Sequence, residues 1–332
     1  MHEGAFWLSH TEPHGTEQTM MNRRAQNRLP SNAPDPAGNE AGSEVVSPTV
    51  SHLKQVRINE GDLAYSERGT GDLVILVHGA LGDYRIWSSQ FAALSQQYHV
   101  ISYSRRYHQP NLPADEATDY THRGHVDDLI ALIEALQLGP AHLVGHCYGG
   151  AVAAVLALKR PEMVSSLVLA EPSLFSMISH PQDRVSLRLH GIALNVVQKL
   201  TENAEQELAV REYVNIALGK DGYDDLSSEV QLVVNENGHT LGPMLRTYFE
   251  PTELDRSSAL NIKTPTLLIA GESSSRLYHA IIRQLEKCVP NSELLTLSGT
   301  SYGLQTADST DFNEAVLEFL SRNEMAVKQR HH

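Results

Sequence analysis

The chain has 332 residues, 41% hydrophobic and 20% charged: about two average domains by length, or one large α/β unit with an insertion, with too much apolar content for global disorder. Forty Asp and Glu against 26 Lys and Arg leave a formal charge of −14, which argues against a nucleic-acid surface, because a face that binds phosphates is basic. Two cysteines, Cys147 and Cys288, cannot form a disulfide framework and point to a reducing, cytoplasmic setting, and the longest apolar runs, such as Leu73 to Val77, are strand-sized and far short of a membrane span.

Residues 1–50 hold five of the 15 prolines, show no apolar periodicity and read as a disordered tail. Strand-like and helix-like runs then alternate, the pattern of an α/β fold with a largely parallel sheet. Lys54 to Ile58 and Leu63 to Glu67 form an opening hairpin. Leu73 to His78 is a buried strand, followed by a Gly-containing loop and a helix over Tyr84 to Gln97. His99 to Ser104 is a strand and Thr121 to Gln137 an amphipathic helix. Ala141 to His146 is a strand, Tyr148 to Lys159 an alanine-dense helix and Val164 to Ala170 a strand. Residues 174–249 lack strand alternation and read as a helical cap inserted over the sheet. Thr266 to Ala270, a helix over Leu277 to Lys287, strand Glu293 to Leu297 and a helix over Phe312 to Leu320 close the series. The expected division is thus a tail at 1–50, a core at 51–173 and 250–322, the cap between them, and a C-terminal tail at 323–332.

One motif carries chemistry. Between the Ala141 to His146 strand and the Tyr148 helix stands Gly145-His146-Cys147-Tyr148-Gly149-Gly150. A nucleophile flanked by glycines at a strand-to-helix turn sits on a strained backbone, with small neighbours that let strand and helix approach closely. Its side chain projects at a helix N-terminus, where backbone N–H groups favour negative charge.

With His78-Gly79-Ala80-Leu81-Gly82 one parallel strand earlier, the chain resembles the α/β-hydrolase superfamily over residues 53–322. The resemblance implies an eight-stranded, mostly parallel sheet flanked by helices, a helical cap, and acyl-type substrates. It also implies an oxyanion hole from the backbone N–H groups of Ala80 and Tyr148.

The departures are specific. The family commonly has Ser at the elbow, and this chain has Cys147. Its acid commonly follows the strand that matches Thr266 to Ala270, where this chain reads Gly271-Glu272-Ser273-Ser274-Ser275. Its histidine follows the last strand, where Tyr302 stands in Gly299-Thr300-Ser301-Tyr302-Gly303. Glu171, at the end of the preceding buried strand, is the candidate acid, because a buried carboxylate needs a partner. Glu272 is the reserve, and the bland reading of Glu171 is a carboxylate capping backbone N–H groups.

Cysteine and tyrosine make a coherent pair of changes. A thiol of ordinary pKa is about 3% ionised at pH 7, and a helix N-terminus lowers a cysteine pKa to roughly 3.5–7.5. Cys147 is therefore expected to ionise with no imidazole, exposed above the sheet. Tyr302 is a hydrogen-bond donor and a poor base. Acylation of Cys147 by a small or medium apolar ester, thioester or other carbonyl substrate follows, and with the base missing the expected outcome is either slow hydrolysis or transfer to a better nucleophile, including ring closure. Two other readings stand beside it: a ligand-binding descendant without catalysis, and a lyase or cyclase with no covalent step.

No nicotinamide or phosphate fingerprint and no metal-ligand cluster occurs, so no cofactor and no metal are expected; the partner is a small molecule. His146 and His78 are expected to make structural hydrogen bonds, and Cys288 to be core. His108 and His239 are the histidines that a pocket offers in place of the missing one. Arg105 and Arg106 are candidates for a substrate carboxylate, with salt bridges as the commoner use.

Overall fold

The computed structural model describes residues 53–58, 61–111, 120–307 and 309–330; the expected N-terminal tail lies outside them. Eight strands, β1 (Lys54–Ile58), β2 (Gly61–Arg68), β3 (Leu73–Val77), β4 (His99–Tyr103), β5 (Ala141–His146), β6 (Val164–Ala170), β7 (Thr266–Gly271) and β8 (Ser292–Leu297), form one sheet in the order β1-β2-β4-β3-β5-β6-β7-β8. The β1–β2 and β2–β4 pairs are antiparallel and the rest parallel. All five residues of β3 and all six of β5 are buried, as central parallel strands covered on both faces must be.

The helices are α1 (Ser88–Leu94), α2 (His122–Leu136), α3 (Tyr148–Lys159), α4 (Pro181–Glu202), α5 (Gln206–Leu218), α6 (Ser228–Glu236), α7 (Leu241–Thr247), α8 (Arg276–Cys288), α9 (Leu304–Ala307) and α10 (Ser309–Arg330). Alternation along β3 splits the apolar interior in two. Ile75 and Val77 join α2, α3, α8 and the helices between β6 and β7. Val74 and Leu76 join Trp87, Leu94, Phe312 and Val316 on the other face.

β1, β5, β6 and α3 begin and end where the apolar pattern places them, and the other strands differ by one or two residues at an end. Two helices differ from expectation. The expected Tyr84 to Gln97 helix is a 3₁₀ turn, Tyr84–Trp87, followed by the short α1. Asp83 accepts from the Arg85 N–H and holds that tighter opening turn. The closing helix runs on through residues expected to be a tail, to Arg330. Between β6 and β7 the described chain is helical, from α4 to α7 with short 3₁₀ turns. Among the described residues no helix is long and apolar enough to cross a membrane.

This topology fixes the site. Parallel register puts Val77 beside Gly145, His146 beside Ala170 and Ala170 beside Ile269. The loops leaving β3, β5, β6, β7 and β8 therefore converge at the carboxyl edge of the sheet, where open α/β sheets present their ligand crevice.

Candidate active site

Cys147 follows β5 and precedes the first turn of α3, with φ 51° and ψ −116°. Such a conformation costs about 1–3 kcal/mol and persists only where its surroundings enforce it. Here the Cys147 N–H donates to Ala170 O at 3.0 Å, and its carbonyl accepts from Ala151 N and Ser173 N, each at 3.1 Å. Small neighbours make the turn possible. A Cβ on Gly149 would lie 2.1 Å from Val77 O, and one on Gly145 would lie 2.7 Å from Gly149 O. The glycines are steric requirements of the strand–helix approach.

The Cys147 sulfur accepts hydrogen bonds from the backbone N–H groups of Ala80 and Tyr148 and from the hydroxyls of Tyr302 and Tyr248. The structure thus brings Ala80, Tyr148 and Tyr302 onto one atom, each from a different loop. Tyr248, beside the end of α7, is a fourth donor that pattern reading missed, and Tyr213 on α5 and Tyr278 on α8 extend the cluster. Tyr278 bonds Tyr302 and Tyr248, and Tyr248 bonds Tyr213. Burial raises all four phenols, Tyr213, Tyr248, Tyr278 and Tyr302, so they stand neutral as donors.

The state of the thiol corrects the expectation of an exposed, readily ionised sulfur. Cys147 is 1% exposed. Burial pushes its thiol up, and the four hydrogen bonds offset only part of that. A helix N-terminus favours the thiolate, but desolvation of a fully enclosed sulfur outweighs it.

Glu171 is fully buried, with φ 44°. Its Oε1 accepts from Gly271 N at 3.0 Å, and its Oε2 is buried without a partner. Burial raises its pKa to about 7, against the pull of the Ser274 hydroxyl and the Gly271 N–H. Tyr302 is not among the hydrogen-bond partners of Glu171, whose charge bears instead on the Tyr278 phenol. A carboxyl that holds the end of β7 answers the capping alternative. Glu272 is exposed and accepts from Gly299 N at 2.9 Å, tying the β7 and β8 turns together away from the sulfur.

The histidines are committed elsewhere. His146 donates from Nε2 to the Tyr302 carbonyl at 2.9 Å, and its Nδ1 faces Gln305 Nε2 at 3.3 Å. It pins the backbone of the residue whose hydroxyl reaches the sulfur, and burial lowers its pKa to about 4. His78 donates from Nδ1 to Gly79 O at 2.8 Å. His239 meets the carbonyls of Tyr107 and Glu236, and His108 meets Gly82 O and the Tyr120 hydroxyl. Arg106 forms a two-pronged ion pair with Asp128. Cys288 lies in the core at the end of α8.

Beside the sulfur lies a cleft of about 590 Å³, counting its open mouth, between the His78–Gly82 loop and helices α5 and α6. Val214, Leu218, Leu226, Val230 and Val234 line its cap side, and among the described residues no Asp, Glu, Lys or Arg lines it. Ala80 and Tyr302, both bonded to the sulfur, form part of its wall, so the sulfur lies one side chain behind that wall.

Comparison with known proteins identifies the fold and the family. The family model for the alpha/beta hydrolase fold matches residues 72–301. The protein named "Putative carbamate hydrolase RutD" of Pseudomonas syringae pv. syringae is 29% identical over 255 residues, 75% of this chain and 93% of that one. The (E)-2-((N-methylformamido)methylene)succinate hydrolase of Acinetobacter baylyi is 25% identical over 62% of this chain and 74% of its own. Among solved structures, the carboxylesterase CesB of Bacillus subtilis superposes with a TM-score of 0.66 at 20% identity, over 82% of this chain and 92% of that one.

Proposed function

The chain belongs to the alpha/beta hydrolase fold family, an enzyme of the hydrolase type, and on that premise we propose that it acts on an uncharged, small or medium apolar ester or thioester through Cys147. The observation that carries this reading is the convergence of the Ala80 and Tyr148 N–H groups and the Tyr302 hydroxyl on the sulfur at a strained elbow.

In this reaction the sulfur attacks the carbonyl carbon, and the carbonyl π electrons move to oxygen. The Ala80 and Tyr148 N–H groups, which bond the sulfur in the free protein, turn their donation to that oxyanion. Tyr302 gives its phenolic proton to the departing alkoxide or thiolate and takes the thiol proton, so no charge is left on the ring. The acyl-thioester then passes to water or to an alcohol or amine acceptor. General-base assistance is worth about 10²–10⁴-fold, and no imidazole touches the sulfur, so transfer to an acceptor outpaces hydrolysis. The apolar, uncharged cleft supports a neutral acyl group. It offers no cation to a dianion such as the succinate in the name of the Acinetobacter relative.

The raised thiol favours a second reading, a ligand-binding descendant that forms no covalent bond. Incubation with p-nitrophenyl butyrate and mass spectrometry of the intact chain separates the two. The first reading expects one butyryl adduct on Cys147, formed with a burst of nitrophenol and lost in Cys147→Ala. A wild-type chain that stays unacylated while it binds the ester establishes the second.

A further inference from the structure

Arg105, just beyond β4, is 1% exposed and has no carboxylate partner among the described residues. Its guanidinium donates only to neutral acceptors: Nε to His78 O at 3.1 Å, Nη2 to Gly79 O at 3.1 Å, Nη1 to His125 Nε2 at 3.1 Å, and Nη2 also to His108 Nε2 at 3.2 Å and the Tyr120 hydroxyl at 3.3 Å. The three imidazoles around it, His78, His108 and His125, are held neutral by burial and by the guanidinium itself. His122, stacked on Tyr148, is likewise pushed down, to about 3. Burying a guanidinium without an anion is expensive, so its place in the interior calls for a use.

Its position supplies one. The Gly79 carbonyl that accepts from Arg105 belongs to the same peptide unit as the Ala80 N–H, which points at the reacting sulfur. The guanidinium carbon also lies 4.6 Å from the centre of the Tyr148 ring, whose residue supplies the second backbone donor. Hydrogen bonding to a carbonyl polarises its amide and strengthens the N–H at the other end, more so in a low-dielectric interior.

We propose that Arg105 is a positioning residue for the oxyanion hole: an unpaired buried cation that polarises the Gly79–Ala80 peptide and favours negative charge at Cys147 and at the substrate oxygen. This rests on the reading of Cys147 as nucleophile. A hole built from backbone donors is thereby reinforced by a full charge that never touches substrate. The charge also offsets part of the desolvation that the sulfur suffers. The other titratable groups facing that sulfur are the phenols of Tyr120, Tyr213, Tyr248, Tyr278 and Tyr302, all neutral.

The test is the pH dependence of Cys147 alkylation by iodoacetamide, read by peptide mass spectrometry with Cys288 as internal reference, in full-length wild type, Arg105→Gln, Arg105→Lys and His125→Glu. Arg105→Gln keeps a donor and removes the charge; the alkylation midpoint should rise by about one pH unit, and Arg105→Lys should recover at least half of that rise. His125→Glu leaves Arg105 in place and gives it a counter-ion, so it should raise the midpoint in the same direction even if Arg105→Gln does not fold. A folded Arg105→Gln or His125→Glu with the wild-type midpoint overturns the proposal, because a merely structural arginine predicts no shift. Wild-type Cys147 alkylated no faster than Cys288 at any pH overturns the nucleophile reading instead, and the two failures are read from different samples.

Discussion

The two halves of the site differ in what their sequences keep. The half made by β3 and β5 is built from backbone: the His78–Gly82 loop, the elbow at Cys147 and the first turn of α3 present N–H groups, and glycines allow the close approach. The half made by the turns after β7 and β8 is built from side chains, and on the proposed reading Tyr302 and a serine run stand there in place of the histidine and the acid that the family resemblance implies. Backbone donors are constrained by the fold, so an exchange of side chains leaves them in place. Side-chain acids and bases are free to change, and here phenols have taken the positions around the sulfur. On the proposed reading the site keeps the means to hold an oxyanion and lacks the means to activate water.

That contrast can be broken from either side. The largest effect is expected from Tyr302→His, which places an imidazole where a phenol now bonds the sulfur: aryl-ester hydrolysis should rise about 10²-fold or more, measured as steady-state nitrophenol release. No gain in a folded variant would separate position 302 from the base role. Gly149→Ala attacks the other half. Its Cβ would meet Val77 O at 2.1 Å, so the variant should lose about 3 kcal/mol or more of stability in urea melts and lose acylation with it. A stable, acylating Gly149→Ala chain would refute the steric account of the elbow.

Glu171 gives an effect on stability alone. Its folded pKa, about 7, lies above the unfolded carboxylate value of 4.5, so the folded chain holds the extra proton between those values. By linkage stability falls as pH rises through that window, and the cost is complete above about pH 7. Glu171→Gln should flatten this slope, giving a gain of at most about 3 kcal/mol at pH 8 relative to pH 4. An unchanged slope would show that the carboxyl is ionised in the native state. The smallest effect is expected from Tyr248→Phe, which removes one of four donors to the sulfur: about five-fold slower acylation, with Tm nearly unchanged. A loss as large as that of Cys147→Ala would promote Tyr248 to the principal acid.

The fold was legible because its signals are local. Ala141 to His146 is a short strand-sized run that leads into a glycine-flanked turn, and the alanine-dense segment after it is a helix that must lie close to two strands. Ala80, Tyr148 and Cys147 were legible for the same reason, being fixed by turns next to strands. The cap was legible as a helical region, while Tyr213 and Tyr248 were not singled out, since nothing at a distance of 66 or 101 residues tells a phenol that it will face Cys147. Their only trace is composition, 12 tyrosines against six phenylalanines. The direction of the thiol's shift was misread because helix position is visible in a sequence and desolvation is not. The need of Glu171 for a partner is legible from its place at the end of a buried strand, while the Gly271 N–H that bonds its Oε1 carries no side-chain signature.

The bonds that hold the elbow, from Cys147 N to Ala170 O and from Ala151 N and Ser173 N to the Cys147 carbonyl, involve main-chain atoms alone. Nothing in that lock depends on what hangs from the Cα. With Cys147 as the proposed nucleophile, an exchange of sulfur for oxygen at this position would leave every one of those main-chain bonds in place.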